Sequence, residues 1–266
     1  MISLPLFKRN MISSIKLLLV FIAILAMYTS VIIYMFDPTL ADTLNQYQEM
    51  MPGIMSAVGM SGSSGTLIEF LNTYLYGFLM LMIPTIFEII LINKLVMKYI
   101  DSGSMACLLS TPNSRKKIII TQILSILISI IILIVVITGI GLICSQSMFP
   151  NDLDVEKYIQ LNISTMLLAF AMSGIAFVTA CFSNESKWYL TFGAGLPVLF
   201  YLIKMLANMG GDLEKLKYFT IITLLPGDKI VEGASGVLSC NLILLGIAVI
   251  LYVCGAIGFI KRDLPL

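Results

Sequence analysis

Long apolar runs alternate with short polar ones along the whole chain. Six runs are long enough to cross a hydrocarbon core of roughly 30 Å, which needs about 20 apolar residues at a helical rise of about 1.5 Å each. They cover residues 17–36, 71–93, 118–144, 159–182, 190–206 and 237–260. The pattern predicts an all-α membrane protein of six transmembrane helices, with 1–266 forming a single transmembrane domain. The first run is too long for a signal-peptide core and lacks a small-residue cleavage site, so it is expected to be retained. The fifth is the shortest and contains Pro197 and Lys204.

Charge then orients the spans. Lys8, Arg9, Lys16, Lys94, Lys98, Arg115, Lys116, Lys117, Lys187, Lys261 and Arg262 fall at one set of ends, 11 of the 16 basic residues. The opposite loops carry Asp37, Asp42, Glu49 and Glu69, then Asp152, Asp154 and Glu156 against Lys157, and then a mixed stretch at 207–236. The expected topology is N-in and C-in. Residues 3–16 place Leu4, Phe7, Met11 and Ile15 at helical spacing against Lys8, Arg9, Asn10, Ser13 and Lys16. That segment is expected either as a separate amphipathic helix lying in the membrane interface or as a positive flank of the first span.

Composition closes off other classes. The chain is 59% hydrophobic and 12% charged, about half the charged share of soluble domains. It contains no histidine, which removes HExxH metalloproteases and Ser–His hydrolases. The five cysteines stand singly without CxxC spacing, so neither a metal site nor a disulfide framework is expected. No GxxxxGK[ST] phosphate loop occurs, and Met209-Gly-Gly-Asp212 has neither its spacing nor its lysine. No internal repeat of the secondary-transporter kind and no domain linker is found.

The loop 94–117 is the most informative polar stretch. Between basic ends it carries apolar Met105, Ala106, Cys107, Leu108 and Leu109. Ser102 or Ser104 suits the cap of a short helix there, Pro112 ends it, and Asn113 or Ser114 suits the cap of the third span. An exposed apolar face of this kind seeks a protein partner or the lipid interface. The run Gly103-Ser-Met-Ala-Cys-Leu-Leu-Ser-Thr-Pro-Asn-Ser-Arg-Lys-Lys117 resembles the cytoplasmic loop of ABC-2-type transporter permeases, G-x-x-x-x-L-L-S-x-P-x-S-R. The ending Lys261-Arg-Asp-Leu-Pro-Leu266 and the order of parts resemble that family too.

The resemblance implies a multi-pass plasma-membrane permease subunit of a bacterial ATP-driven exporter, without an ATPase of its own. It implies a short coupling helix between spans 2 and 3, seated on a separate ABC nucleotide-binding subunit that binds the ATP and Mg. It implies pairing with a second six-span permease, homo- or heterodimeric, within membrane lipid and with no nucleic-acid partner. Carried over position by position, the coupling surface is Gly103, Ser104, Leu108, Leu109, Ser110, Pro112, Ser114 and Arg115. No catalytic residue and no cofactor or metal site is expected in this chain.

Inside the spans, Glu88 is the only acid well away from an end and Lys204 the only base. An intramembrane carboxylate is costly, so Glu88 is expected either to pair with a base of the N-terminal segment or a neighbouring subunit, or to line the pathway. Lys204 is expected to snorkel. Ala176 and Ala180, Gly193 and Gly195, and Gly255 and Gly258 permit close helix packing or dimerisation. The apolar run 218–225 is too short to span; the resemblance to permeases implies a re-entrant or interfacial helix there, and a packed surface turn is the alternative. The few polar groups in the spans favour an amphipathic or hydrophobic cargo, a peptide toxin or antimicrobial peptide by resemblance, with lipids and drugs as alternatives. A noncatalytic immunity or scaffold protein is the competing class.

Overall fold

A computed structural model of the protein describes residues 2–37, 50, 52–57, 65–105 and 114–261. Six long apolar helices dominate it: α1 Leu4–Tyr34, α2 Leu67–Asp101, α3 Arg115–Met148, α4 Val155–Phe182, α5 Ser186–Asn208 and α6 Val237–Lys261. Among the described residues no strand occurs. Each helix matches an expected span, α1 stopping two residues short of residue 36, and most run beyond it at one or both ends. The 34 residues of α3 rise about 51 Å, well over the hydrocarbon thickness.

The overhangs exist because the polar flanks supply caps. Ser114 accepts from the Lys117 N–H at 3.3 Å to start α3, and Asp154 from the Lys157 N–H at 3.1 Å to start α4. Thr66 and Glu69 form a reciprocal capping box at the start of α2, so one acid of the first acidic loop serves a helix end.

Of the two forms expected for residues 3–16, the structure has the flank of the first span and not a separate helix. It does not break from the first span: α1 continues through Lys16 without a turn. Of the apolar positions singled out there, Leu4 and Ile15 are exposed and Phe7 and Met11 half-buried. The buried stripe is Leu6, Asn10, Ser14, Leu18, Phe21 and Leu25. Asn10 is 1% exposed and donates through Nδ2 to Gln122 Oε1 at 2.7 Å and Ser125 Oγ at 3.1 Å on α3. The Ser3 N–H donates to Thr121 Oγ1 at 3.0 Å. Thus α1 is zipped to α3 through side chains that a single-helix view assigns to water.

Hydrogen bonds also fix helix directions. The start of α1 meets α3 as above, Lys94 near the end of α2 donates to the carbonyl of Ser13, and Asp101 Oδ2 accepts from Ser186 Oγ at 2.7 Å. The start of α1, the end of α2 and the starts of α3 and α5 therefore share one end of the bundle, here the basic end. At the opposite end Asn72 donates to Asp228 at 2.8 Å and Lys157 to the Val231 carbonyl at 2.7 Å.

The most enclosed helix is α4, with 61% of its apolar stretch buried against 17% for α5. Ala176 and Ala180 lie buried on it. A side chain at Gly255 or Gly258 of α6 would come within 2.8 Å of the Phe177 ring or 2.5 Å of the Phe182 ring. Gly255 and Gly258 therefore serve the α4–α6 contact within one chain. Gly193 packs beneath Tyr189, whereas Gly195 has open space beside it.

Two helices are irregular. Asn72–Leu79 and Asn93–Met97 of α2, and Leu190–Ala194 of α5, wind as π-helix. Pro84 and Pro197 lie inside these same two helices, where each withholds the N–H owed to the carbonyl four residues earlier.

The segment between α5 and α6 turns inward. Two 3-10 turns, Gly211–Phe219 and Ile221–Leu224, are followed by a short helix, Gly227–Glu232. Ile222 is 2% exposed and packs in a cluster with Leu81, Leu168, Met172 and Leu244 from α2, α4 and α6. Within 218–225 Thr220 and Ile222 are buried, whereas Tyr218 and Phe219 are 81% and 70% exposed.

Candidate functional site

Helical periodicity brings one face each of α2, α4 and α5 around a common cavity. Met80, Pro84, Thr85 and Glu88 come from α2, Thr165, Leu168, Ala169 and Met172 from α4, and Pro197, Val198 and Tyr201 from α5. Ile222 of the inward-turned segment forms part of its wall. The cavity measures about 60 Å³, and a buried water needs about 10–15 Å³. Several waters or a small polar headgroup therefore fit, within a lining that is almost wholly apolar.

Glu88 is the exception in that lining. It is 1% exposed, and neither carboxylate oxygen has a hydrogen-bond partner among the described residues. The expected pairing with a base of the N-terminal segment is not made there. Arg9 lies instead over the Tyr99 ring, 6.0 Å from its centroid. The two lining threonines have committed their protons: Thr85 donates to the Leu81 carbonyl at 2.7 Å and Thr165 to the Leu161 carbonyl at 2.8 Å.

Lys204 does not join this cavity. It lines a second, more polar one toward the acidic end, together with Asn72, Tyr76 and Asp228.

At the basic end the loop residues separate into two groups. Gly103 takes a left-handed φ of 66°, which turns the chain out of α2 at the cost only glycine avoids. The Ser104 hydroxyl lies 2.7 Å from that of Ser102, so the serines close the end of α2. Ser114 is the cap of α3 and Arg115 its first residue. Leu108, Leu109, Ser110 and Pro112 lie outside the described residues. Met105, the last described residue before them, is buried at 3% exposure, so the apolar character of the loop begins against the bundle.

The family model described as ABC-2 family transporter protein matches residues 7–264, nearly the full chain. The chain belongs to that family. No curated protein matches it. Membership makes the chain the permease subunit of an ABC transporter, a multi-pass membrane protein whose partner is an ABC ATPase subunit.

Sequence reasoning singled out Glu88 in this permease but missed the cavity threonines and Tyr201. Thr85 stands three residues before Glu88, and Thr165 precedes Leu168 and Met172 by three and seven, so each lies on one helical face with them. That spacing was a usable signal. Which faces of α2, α4 and α5 converge was not, because it depends on packing between helices.

Proposed function

We propose that this permease exports an amphipathic or hydrophobic molecule, a membrane-active peptide being the preferred cargo, through a pathway bordered by α2, α4 and α5. The observation that carries the proposal is the apolar cavity among those three helices, with a single carboxylate in its wall. A strongly hydrophilic solute would leave polar groups unpaired there, at a cost of several kcal/mol each. The basic end faces the cytoplasm, giving N-in and C-in topology in a bacterial plasma membrane, on the strength of the basic residues gathered there.

The loop 94–117 is the seat of the ATPase subunit, which binds ATP and Mg and performs the hydrolysis. A second six-span permease completes the transporter. Two measurements test this. Thiol labelling of Cys107 in intact cells would overturn the orientation. In proteoliposomes holding the permease with its ATPase, membrane-active peptides should raise ATP turnover and be carried across. Stimulation by a sugar or soluble ion alone would refute the cargo class, and a response to lipids alone would move the protein to lipid export.

A further inference from the structure

From the wall of the α2–α4–α5 cavity we infer that the permease recognises a positively charged nitrogen, a primary amine or guanidinium, through Glu88. The inference rests on the export reading above and narrows its cargo to cationic amphiphiles.

Three observations converge on a donor-bearing cation. Glu88 is buried to 1% exposure in the cavity wall with both carboxylate oxygens unpartnered among the described residues, so its full accepting capacity is unused. Thr85 and Thr165 line the same cavity with their protons already given to helix carbonyls, leaving only lone pairs to offer. Pro84, also in the wall, brings no N–H of its own to the site. Apart from the Tyr201 hydroxyl, which can donate or accept, the polar complement of the site is thus weighted to acceptors, and among the lining residues there is no Lys or Arg.

An anion would meet no donor of opposite charge there. An ammonium brings three donors and a guanidinium five, together with the counter-charge that a carboxylate in hydrocarbon lacks. Tyr201 adds an aromatic ring to the same wall, a favourable neighbour for a cation. The volume of about 60 Å³ admits the charged group and its first methylenes, while the apolar walls suit the remainder of an amphiphile.

The test uses the permease–ATPase complex in nanodiscs of zwitterionic phosphatidylcholine, so that lipid charge does not attract the probe. Two capped Leu/Ala peptides bearing a neutral dye serve as probes, one with a single central lysine and one with that lysine acetylated. Binding is read by anisotropy after subtracting empty nanodiscs. The lysine peptide should bind wild type roughly tenfold more tightly than its acetylated twin, the scale of one charge-assisted hydrogen bond. Glu88→Gln should bind both peptides alike, and Glu88→Asp, which keeps the charge, should retain most of the preference.

Equal affinity for the two peptides in wild type, no binding of either, or a preference that survives Glu88→Gln would overturn the inference. If Glu88→Gln fails to fold, the wild-type comparison and Glu88→Asp still decide it. Selective binding without ATP-driven movement into vesicles would leave the site standing and remove the export reading.

Discussion

Adding one methyl group at Gly141 should destabilise the permease, and removing one oxygen from Tyr158 should restore much of the loss. A Cβ at Gly141 on α3 would lie 2.0 Å from the hydroxyl oxygen of Tyr158 on α4 and 2.9 Å from its ring carbon Cζ, with Thr29 Cγ2 of α1 at 3.5 Å. Tyr158 is fully buried, packed edge-on against Tyr76 at 6.4 Å between ring centroids, so its ring has little room to swing aside. The helices must part or the ring must leave its rotamer, and overpacking of this kind costs about 1–3 kcal/mol. At about 2–4 °C per kcal/mol for a domain near this size, Gly141→Ala should lower Tm by roughly 2–12 °C.

In the double variant with Tyr158→Phe the oxygen at 2.0 Å is gone, and the nearest remaining contact is the ring carbon at 2.9 Å. A shift of a few tenths of an ångström then suffices. More than half of the lost Tm should return, and the two effects should be non-additive by about 1 kcal/mol or more. Thermal unfolding of purified protein in dodecyl maltoside, followed by size-exclusion recovery, measures all four proteins. A Gly141→Ala protein as stable as wild type, or a double variant equal to the sum of the singles, would refute the close α3–α4 approach.

Three further outcomes follow from other contacts. Asn10→Ala and Gln122→Ala should each destabilise the bundle by about 0.6–1.7 kcal/mol, with the double variant costing clearly less than their sum; a strictly additive cycle would mean that the α1–α3 hydrogen bond contributes nothing. Leu108→Asp or Leu109→Asp should leave the permease inserted while weakening its grip on the ATPase subunit, because a charge in an apolar contact is desolvated without a partner; unchanged pull-down and ATPase stimulation would contradict this. The Lys217 ammonium, 2.6 Å from Glu214 outside the spans, donates a hydrogen bond that holds the Glu214 carboxyl below its ordinary range. The pair's contribution is therefore present above the ordinary carboxylate pKa and lost as pH falls through the lowered one, and carboxyl NMR of Lys217→Ala should show the Glu214 titration moving upward.

The spans were legible because hydrophobic runs of this length have few other uses. Their ends were legible only in part: Ser114 was among the caps expected for the third span, but the hydropathy signal stops at the hydrocarbon boundary whereas Asp154 and the Thr66–Glu69 box carry their helices further. Asn10 was misassigned for a related reason. Periodicity within one helix marks a polar residue as solvent-facing, and only a partner 112 residues away reveals it as buried. Glu88 stood out as a lone acid in an apolar run, but its unused oxygens become evident only when three helices close around it. In the loop motif, Ser114 is the cap that its place before the third span suggested, whereas the left-handed turn at Gly103 is a local duty that motif spacing alone could not distinguish from partner contact.

The helices of this bundle differ in stiffness. α1, α3, α4 and α6 are unbroken α-helical rods, in which every regular turn resists a change of length. α2 and α5 are jointed: each has a π turn and a proline, places where the hydrogen-bond ladder is already offset and where helices bend or re-register at little further cost. These two jointed members stand side by side around the cavity. One of them, α2, runs directly into the loop 94–117, while the neighbour across that loop, α3, is a rod about 51 Å long. If the ATPase subunit seats on that loop as proposed, it meets a jointed helix on one side and a regular one on the other. The jointed one carries Glu88 into the cavity wall.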